Sequence, residues 1–326
     1  MRGGNPMKTR GSLRAYISIA RPDHSVKNVF VLPGIIIALT VSPPGDWTGL
    51  ALRIAIGLLS VTLIACSNYV INEVMDAPFD RSHPIKHLRP VASGEVSVAV
   101  AYAEWLVLFA AGMLAAWFIS IPFFLTMAAL WVMGSLYNIP PIRSKDIPYV
   151  DVLTESINNP LRMLAGWYIT LTQASPPISL LVAYWMVGCY FMAIKRWAEY
   201  REFDDAAKRT AYRRAFAFYD ERRLLVSIMF YGSFGMLMFG VFIMRYRMEL
   251  ILAFPLIALV MAIYFSLAFK PDSAVQRPET LYREPALMAS VVACTVLLVV
   301  LLFVDIPALP RIFAPLTMGL HPQARP

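Results

Sequence analysis

Apolar runs close to twenty residues long recur along almost the whole of this chain. An α-helix needs a run of about that length to cross the hydrocarbon core of a bilayer. Repeated runs leave few folds open besides a bundle of transmembrane helices. Nine candidate spans can be placed, at about 29–42, 50–75, 96–118, 120–137, 150–173, 177–195, 224–244, 249–269 and 286–308. The first is short, and Pro33 and Pro43 interrupt or bound it. Of the 326 residues, 58% are hydrophobic and 15% charged, against ~45–50% and ~25% in soluble proteins. Length alone would admit two soluble domains, but the apolar runs override that division. The expected fold class is all-α, an integral membrane helical bundle of about nine transmembrane helices.

The cations give the bundle a direction. With a cytoplasmic N-terminus and nine alternating helices, 23 of the 29 Lys and Arg residues fall on the cytoplasmic side and five on the other; Arg162 is left inside a span. That asymmetry is the positive-inside rule, and it supports both the helix count and the orientation. The net charge of +8 therefore needs no nucleic-acid partner. Residues 1–27 read as a basic cytoplasmic segment without the apolar stretch of a cleavable signal. Residues 28–308 form the transmembrane domain and 309–326 a C-terminal tail. The loop 196–223 is the one sizeable extramembrane piece, with mixed charge and few breakers, so one or two surface helices are expected there. Cys66, Cys189 and Cys294 lie in apolar segments with no ligand spacing, and read as small buried hydrophobes.

The chemistry collects at helix ends. Asn72-Glu73-Val74-Met75-Asp76-Ala77-Pro78-Phe79-Asp80 places an amide and three carboxylates at the end of a long apolar segment. Arg81, Lys86 and Arg89 follow directly. Carboxylates at a membrane face invite a hard divalent cation with oxygen ligands, and neighbouring Lys and Arg invite the phosphate it would bridge. Asn68, Asn72 and Asp76 are spaced four apart and share one helical face. Asp80 would continue the row, but Pro78 is expected to end or kink the helix first. A plain helix end reaching water is the bland alternative.

A second polar stripe, Asp151, Glu155, Asn158 and Arg162, traces one face of the fifth span. It reads either as a structural ion pair or as the phosphate-binding inner wall of a cavity. Tyr137, Arg143 and Lys145 flank a proline-stiffened turn, Lys195, Arg196 and Glu199 close the sixth span, and Lys27 and Asn28 open the first. Four helix ends thus bring phosphate- or metal-binding groups to one side, and this convergence outweighs any single one. His24, His83, His87 and His321 do not form zincin spacing.

At this point the chain resembles the UbiA superfamily of intramembrane prenyltransferases. The resemblance spans essentially the whole chain, through the nine-helix count, Asn72-Glu73-x-x-Asp76-x-x-x-Asp80 and Tyr137-x-x-Pro140-Pro141-x-Arg143-x-Lys145. Glu73 stands where the superfamily usually has Asp. Several segments are most similar to the decaprenyl-phosphate phosphoribosyltransferase branch: Arg21-Pro22-x-x-x-Val26-Lys27-Asn28, His83-Pro84-x-Lys86-x-x-Arg89-Pro90, and Lys195-Arg196-x-Ala198-Glu199. That branch joins a polyprenyl phosphate to phosphoribosyl diphosphate and releases diphosphate. The aromatic-acceptor enzymes usually carry a second Asp-x-x-x-Asp motif; here Glu199, Glu202, Asp204 and Asp205 lack that spacing.

The resemblance implies a UbiA-like bundle with a cytoplasmic-facing active site in a bacterial inner membrane, and a Mg²⁺-dependent transferase. Asn72, Glu73, Asp76 and Asp80 would hold Mg²⁺. Asn72, Asp76, Asp80, Lys86 and Arg89 would be catalytic. Lys27, Asn28, Asn68, Arg81, Tyr137, Arg143, Lys145, Asp151, Glu155, Asn158, Arg162, Lys195, Arg196 and Glu199 would contact substrates. The expected partners are a polyprenyl phosphate or prenyl diphosphate, a diphosphate-containing co-substrate and the lipid bilayer; a homo-oligomer stays open. The rival chemistries are prenyl transfer from a prenyl diphosphate to an aromatic or other acceptor, and membrane transport.

Overall fold

The structure is a computed structural model that describes residues 12–81, 86–171 and 173–313. Among these residues all regular structure is helical. Eight segments are long and apolar enough to cross a membrane: Leu13–Val41, Trp47–Asp80, Val98–Trp117, Ile121–Asn138, Ile178–Arg201, Glu221–Tyr246, Met248–Leu267 and Pro285–Phe303. Each coincides with one of nine expected spans. The main helices are α1 (Leu13–Ala20), α2 (Leu32–Val41), α3 (Trp47–Asp80), α4 (Val98–Trp117), α5 (Ile121–Asn138), α6 (Val150–Ser156), α7 (Asn158–Thr170), α8 (Ile178–Arg201), α9 (Ala206–Tyr212), α10 (Glu221–Tyr246), α11 (Phe254–Leu267) and α12 (Pro285–Phe303).

The expected span at 150–173 is divided. It consists of α6 and α7, separated at Ile157. Pro160 has no N–H to return to the Ser156 carbonyl, which weakens the helix there. The first span is also built in pieces: α1, a 3₁₀ stretch over Pro22–Val31, then α2, whose second residue is Pro33.

The expected break at Pro78 does not occur. α3 runs through Pro78 to Asp80, and the Arg81 N–H closes its last turn on the Ala77 carbonyl at 3.2 Å. The proline loses its own bond to the Val74 carbonyl, but the bond from the Arg81 N–H shows that the turn continues past it. Asp80 therefore stays on the helix, one turn beyond Asp76.

Close approaches fix the inner elements. Gly34 of α2 and Gly166 of α7 face each other's helices, and a Cβ at either would collide with the opposite backbone carbonyl. Small residues let membrane helices pack this tightly. They seat α7, with Arg162, against the segment carrying Lys27. The loop after α8 contains the expected surface helix, α9, and a 3₁₀ turn at Arg214–Ala217, while α8 itself continues to Arg201.

Candidate active site

The polar face of α3 is read by α5 and the turn that follows it. Asn68 donates to the Leu130 carbonyl at 3.0 Å. One turn on, Asn72 donates to Oδ1 of Asn138 at 2.6 Å. One turn further, Oδ1 of Asp76 accepts from Arg143 at 3.0 Å and from Lys145. Lys145 also donates to Oδ1 of Asn138 at 3.0 Å, joining the two turns. The fourth position, Asp80, accepts from Arg89 at 2.7 Å.

The turn after α5 is shaped to aim its cations back at α3. Arg143 has φ 34°, in the left-handed region that a side chain rarely adopts. Its guanidinium reaches the carbonyls of Met75 at 3.2 Å and Asn138 at 3.3 Å as well as Asp76, and donates to Asp146 at 3.0 Å. The Phe79 ring lies 4.8 Å from the Arg143 guanidinium and 4.9 Å from that of Arg214. Arg214 also approaches Asp146 to 3.6 Å, so the segment after α9 rests over this turn.

Lys86 completes the ring of cations. Its ammonium lies 4.8 Å from the Tyr212 ring centroid. Burial pushes it below the ordinary lysine range and the charge of Arg89 adds to this, while Asp80 and Asp76 oppose it. Lys145 is lowered for the same first reason, burial, again opposed by Asp76. Two acids on successive turns are therefore surrounded by Lys86, Arg89, Arg143 and Lys145. Arg81 is exposed at the helix end.

Glu73 does not join them. It is 2% exposed, accepts from the Val91 N–H at 3.4 Å and faces Arg21 at 3.6 Å. It ties α3 to the N-terminal segment and the 90–93 turn, which gives this acid, expected as a metal ligand, structural partners. Among the described residues no three His, Cys, Asp or Glu side chains converge to hold a metal. Mg²⁺ commonly takes only one or two carboxylates and completes its shell with water and substrate phosphates. Asp76 and Asp80, with the Asn72 amide a turn away, are hard oxygen donors that fit that manner of binding.

A second charged group reads differently. Arg196 donates to Asp151 at 3.0 Å and to Glu199 at 3.1 Å. Tyr219 donates to the other Asp151 oxygen at 2.8 Å. Arg213 approaches both acids, at 3.8 and 3.9 Å, and Lys195 approaches Glu199 at 4.0 Å. Asp151 and Arg196 are almost wholly buried, and their bonds go to each other, Glu199 and Tyr219. Asp151, Arg196 and Glu199 were expected on substrate; here they form a closed network that ties α6, α8 and the 213–219 segment together.

The remaining expected residues have other neighbours. Lys27 stands 5.6 Å from the Tyr69 ring centroid. Asn28 donates to Thr62 at 2.7 Å, and Asn158 to the Glu155 carbonyl at 3.0 Å, so both amides have structural partners. Glu155 sits beside the Tyr137 hydroxyl and within electrostatic reach of Lys27 and Lys195. Arg162 is buried within α7. Sequence reasoning missed Asn138, Tyr69, Arg213 and Tyr219. A signal existed for Tyr69, since 69, 72 and 76 share a helical face. Asn138 adjoins Tyr137 in the quoted turn, but only its contacts reveal it as the bridge. Nothing in local spacing marks Arg213 or Tyr219.

The UbiA prenyltransferase family model matches residues 28–291. The chain is 30% identical over 184 residues to the decaprenyl-phosphate phosphoribosyltransferase of Mycobacterium tuberculosis, covering 56% of this chain and 59% of that protein. It is 30% identical over 189 residues to the enzyme of the same name from Corynebacterium glutamicum, covering 56% and 54%. The match thus spans little more than half the length of these curated relatives. A solved UbiA homologue from Archaeoglobus fulgidus, bound to DMAPP and Mg²⁺, superposes with a TM-score of 0.66 at 22% identity, over 87% of this chain and 98% of that one. At that identity the likeness is one of fold.

Proposed function

The chain belongs to the UbiA prenyltransferase family, and from that premise we propose that it is a Mg²⁺-dependent intramembrane transferase that moves 5-phosphoribose from phosphoribosyl diphosphate to a polyprenyl phosphate and releases diphosphate. The observation that carries this reading is the ring of Lys86, Arg89, Arg143 and Lys145 around Asp76 and Asp80 at the end of a membrane-length helix. The phosphoribosyl donor is supported by the relatives of that name at 30% identity. We take 28–308 as the catalytic domain, with the N-terminus and the site on the cytoplasmic side of a bacterial inner membrane.

Asn72, Asp76 and Asp80 would hold Mg²⁺, which when bound supplies positive charge toward the diphosphate oxygens. The four cations around them now rest on Asp76, Asp80 and the Tyr212 ring. A diphosphate offers the same donors more highly charged oxygens, and Arg can meet them with two parallel bonds. As the bond to the sugar breaks, charge builds on the leaving diphosphate. Donors already aimed there lower the barrier, and one such donor is worth ~10²–10³ in turnover. The attacking phosphate oxygen is already anionic, so the site needs no strong general base. The apolar spans give the isoprenoid tail a surface to lie on.

The test is turnover by purified protein given Mg²⁺, a polyprenyl phosphate and phosphoribosyl diphosphate. A phosphoribosylated lipid that disappears with EDTA is the expected result. No product there, with turnover of a prenyl diphosphate and an aromatic acceptor instead, would move the chemistry to prenyl transfer on the same site.

A further inference from the structure

Arg162 is 7% exposed, and among the described residues no carboxylate lies within 4.0 Å of it. Its Nε is buried without a hydrogen-bond partner. One Nη reaches the Asn158 carbonyl at only 3.5 Å. The Tyr69 phenol hydrogen-bonds to it, and Glu155, beyond ion-pair distance, and the Tyr184 phenol act on its charge. A guanidinium held inside a membrane protein costs several kcal/mol unless something compensates it.

Elsewhere this fold does compensate. Arg196 meets Asp151 and Glu199, Arg143 meets Asp76 and Asp146, and Arg247 meets Glu249 and Asp305. Arg162 is more buried than Arg143 and Arg247, though less than Arg196, and it alone of the four has no acid within ion-pair distance among the described residues. A structural ion pair does not explain it. A ligand that brings its own negative charge does.

The position of this group separates it from the acidic row. Tyr69 precedes Asp76 by seven residues on the same helix, roughly 10 Å at 1.5 Å per residue. Lys27 lies over the Tyr69 ring, so a second cation borders the same place. We propose that Arg162, with Tyr69, Tyr184 and Lys27, forms a second anion subsite, deeper than the diphosphate site, that takes a phosphate monoester. The proposal rests on the transferase reading only for the owner of that phosphate, which is either the lipid acceptor or the 5-position of the ribose. Either owner makes the substrate anionic at this depth, and a neutral aromatic acceptor would leave Arg162 uncompensated.

The test is calorimetric binding to the full chain in detergent, with farnesyl phosphate and ribose 5-phosphate as separate probes. Arg162→Gln is compared with wild type, and Arg162→Lys keeps the charge without the planar fork. Inorganic diphosphate with Mg²⁺ serves as the folding control, since it addresses the other site. The expected result is at least a tenfold loss of affinity for one probe in Arg162→Gln, a smaller loss in Arg162→Lys, and unchanged diphosphate binding. Loss confined to farnesyl phosphate assigns the subsite to the lipid; loss confined to ribose 5-phosphate assigns it to the sugar. Equal binding by wild type and Arg162→Gln overturns the proposal, as does a wild type that binds neither probe. If Arg162→Gln fails the diphosphate control, Arg162→Lys decides by the same criterion. Absence of turnover in the transferase assay with Arg162-dependent phosphate binding intact would sink the reaction and leave the subsite.

Discussion

Two clusters of acids and guanidinium groups sit at the same end of this bundle, and they are built to opposite ends. In one, Asp151 and Arg196 are 0% and 2% exposed and every charge meets another. In the other, the Asp76 side chain keeps 24% of its surface and carries two cations on a single oxygen. Residue type does not separate them; both are Asp, Arg and Lys at helix ends. Closure does. A network whose central Asp–Arg pair is sealed from water spends that charge on holding helices together. A cluster whose acid keeps surface open to water leaves its charge within reach of a ligand.

Substitutions can break that contrast, and the largest effect belongs to the open cluster. Asp76→Asn should reduce turnover by about 10²–10³-fold, comparable to losing a preorganised electrostatic group, while the protein elutes from size exclusion as wild type does. Retained turnover would remove Asp76 from the reaction. Arg196→Met should act in the reverse sense. Removing one partner of a buried ion pair costs about 3–5 kcal/mol because the other charge is left stranded, so chemical unfolding in detergent should shift strongly. An unshifted unfolding curve would contradict the structural role given to the closed network. Arg214→Gln sharpens the comparison at its boundary. Arg214 is more than half exposed and touches Asp146 from outside, and such a pair is worth about 0–1 kcal/mol. Stability should barely change; a turnover loss above about tenfold would show that the segment over the site does more than rest on it.

The sequence made most of the fold legible because membrane spans advertise themselves by length and apolarity. Eight of the expected spans meet a helical segment long enough to cross, and the row Asn68, Asn72 and Asp76 on α3 could be read from spacing alone. What failed was local. Pro78 was expected to interrupt α3, but the turn continues past it to Asp80, as the bond from the Arg81 N–H to the Ala77 carbonyl shows. The span at 150–173 was expected whole, and Pro160 divides it. Glu73 looks like a metal ligand in a motif and turns out to be tied to Arg21 and Val91. Arg196 and Glu199 look like a phosphate clamp in the chain. Only the return of Arg213 and Tyr219 from a distant loop shows that their charge is already used. Spacing along one helix tells which groups share a face; it does not tell what arrives to meet them.

The central claim is that the Asp76 cluster is the diphosphate site. The most direct measurement is calorimetric binding of inorganic diphosphate, with Mg²⁺ present, to wild type and Asp76→Asn of equal folded yield. The account predicts binding by wild type that vanishes without Mg²⁺ and falls at least tenfold in the variant. Equal affinity in both proteins would place the diphosphate somewhere other than this face of α3.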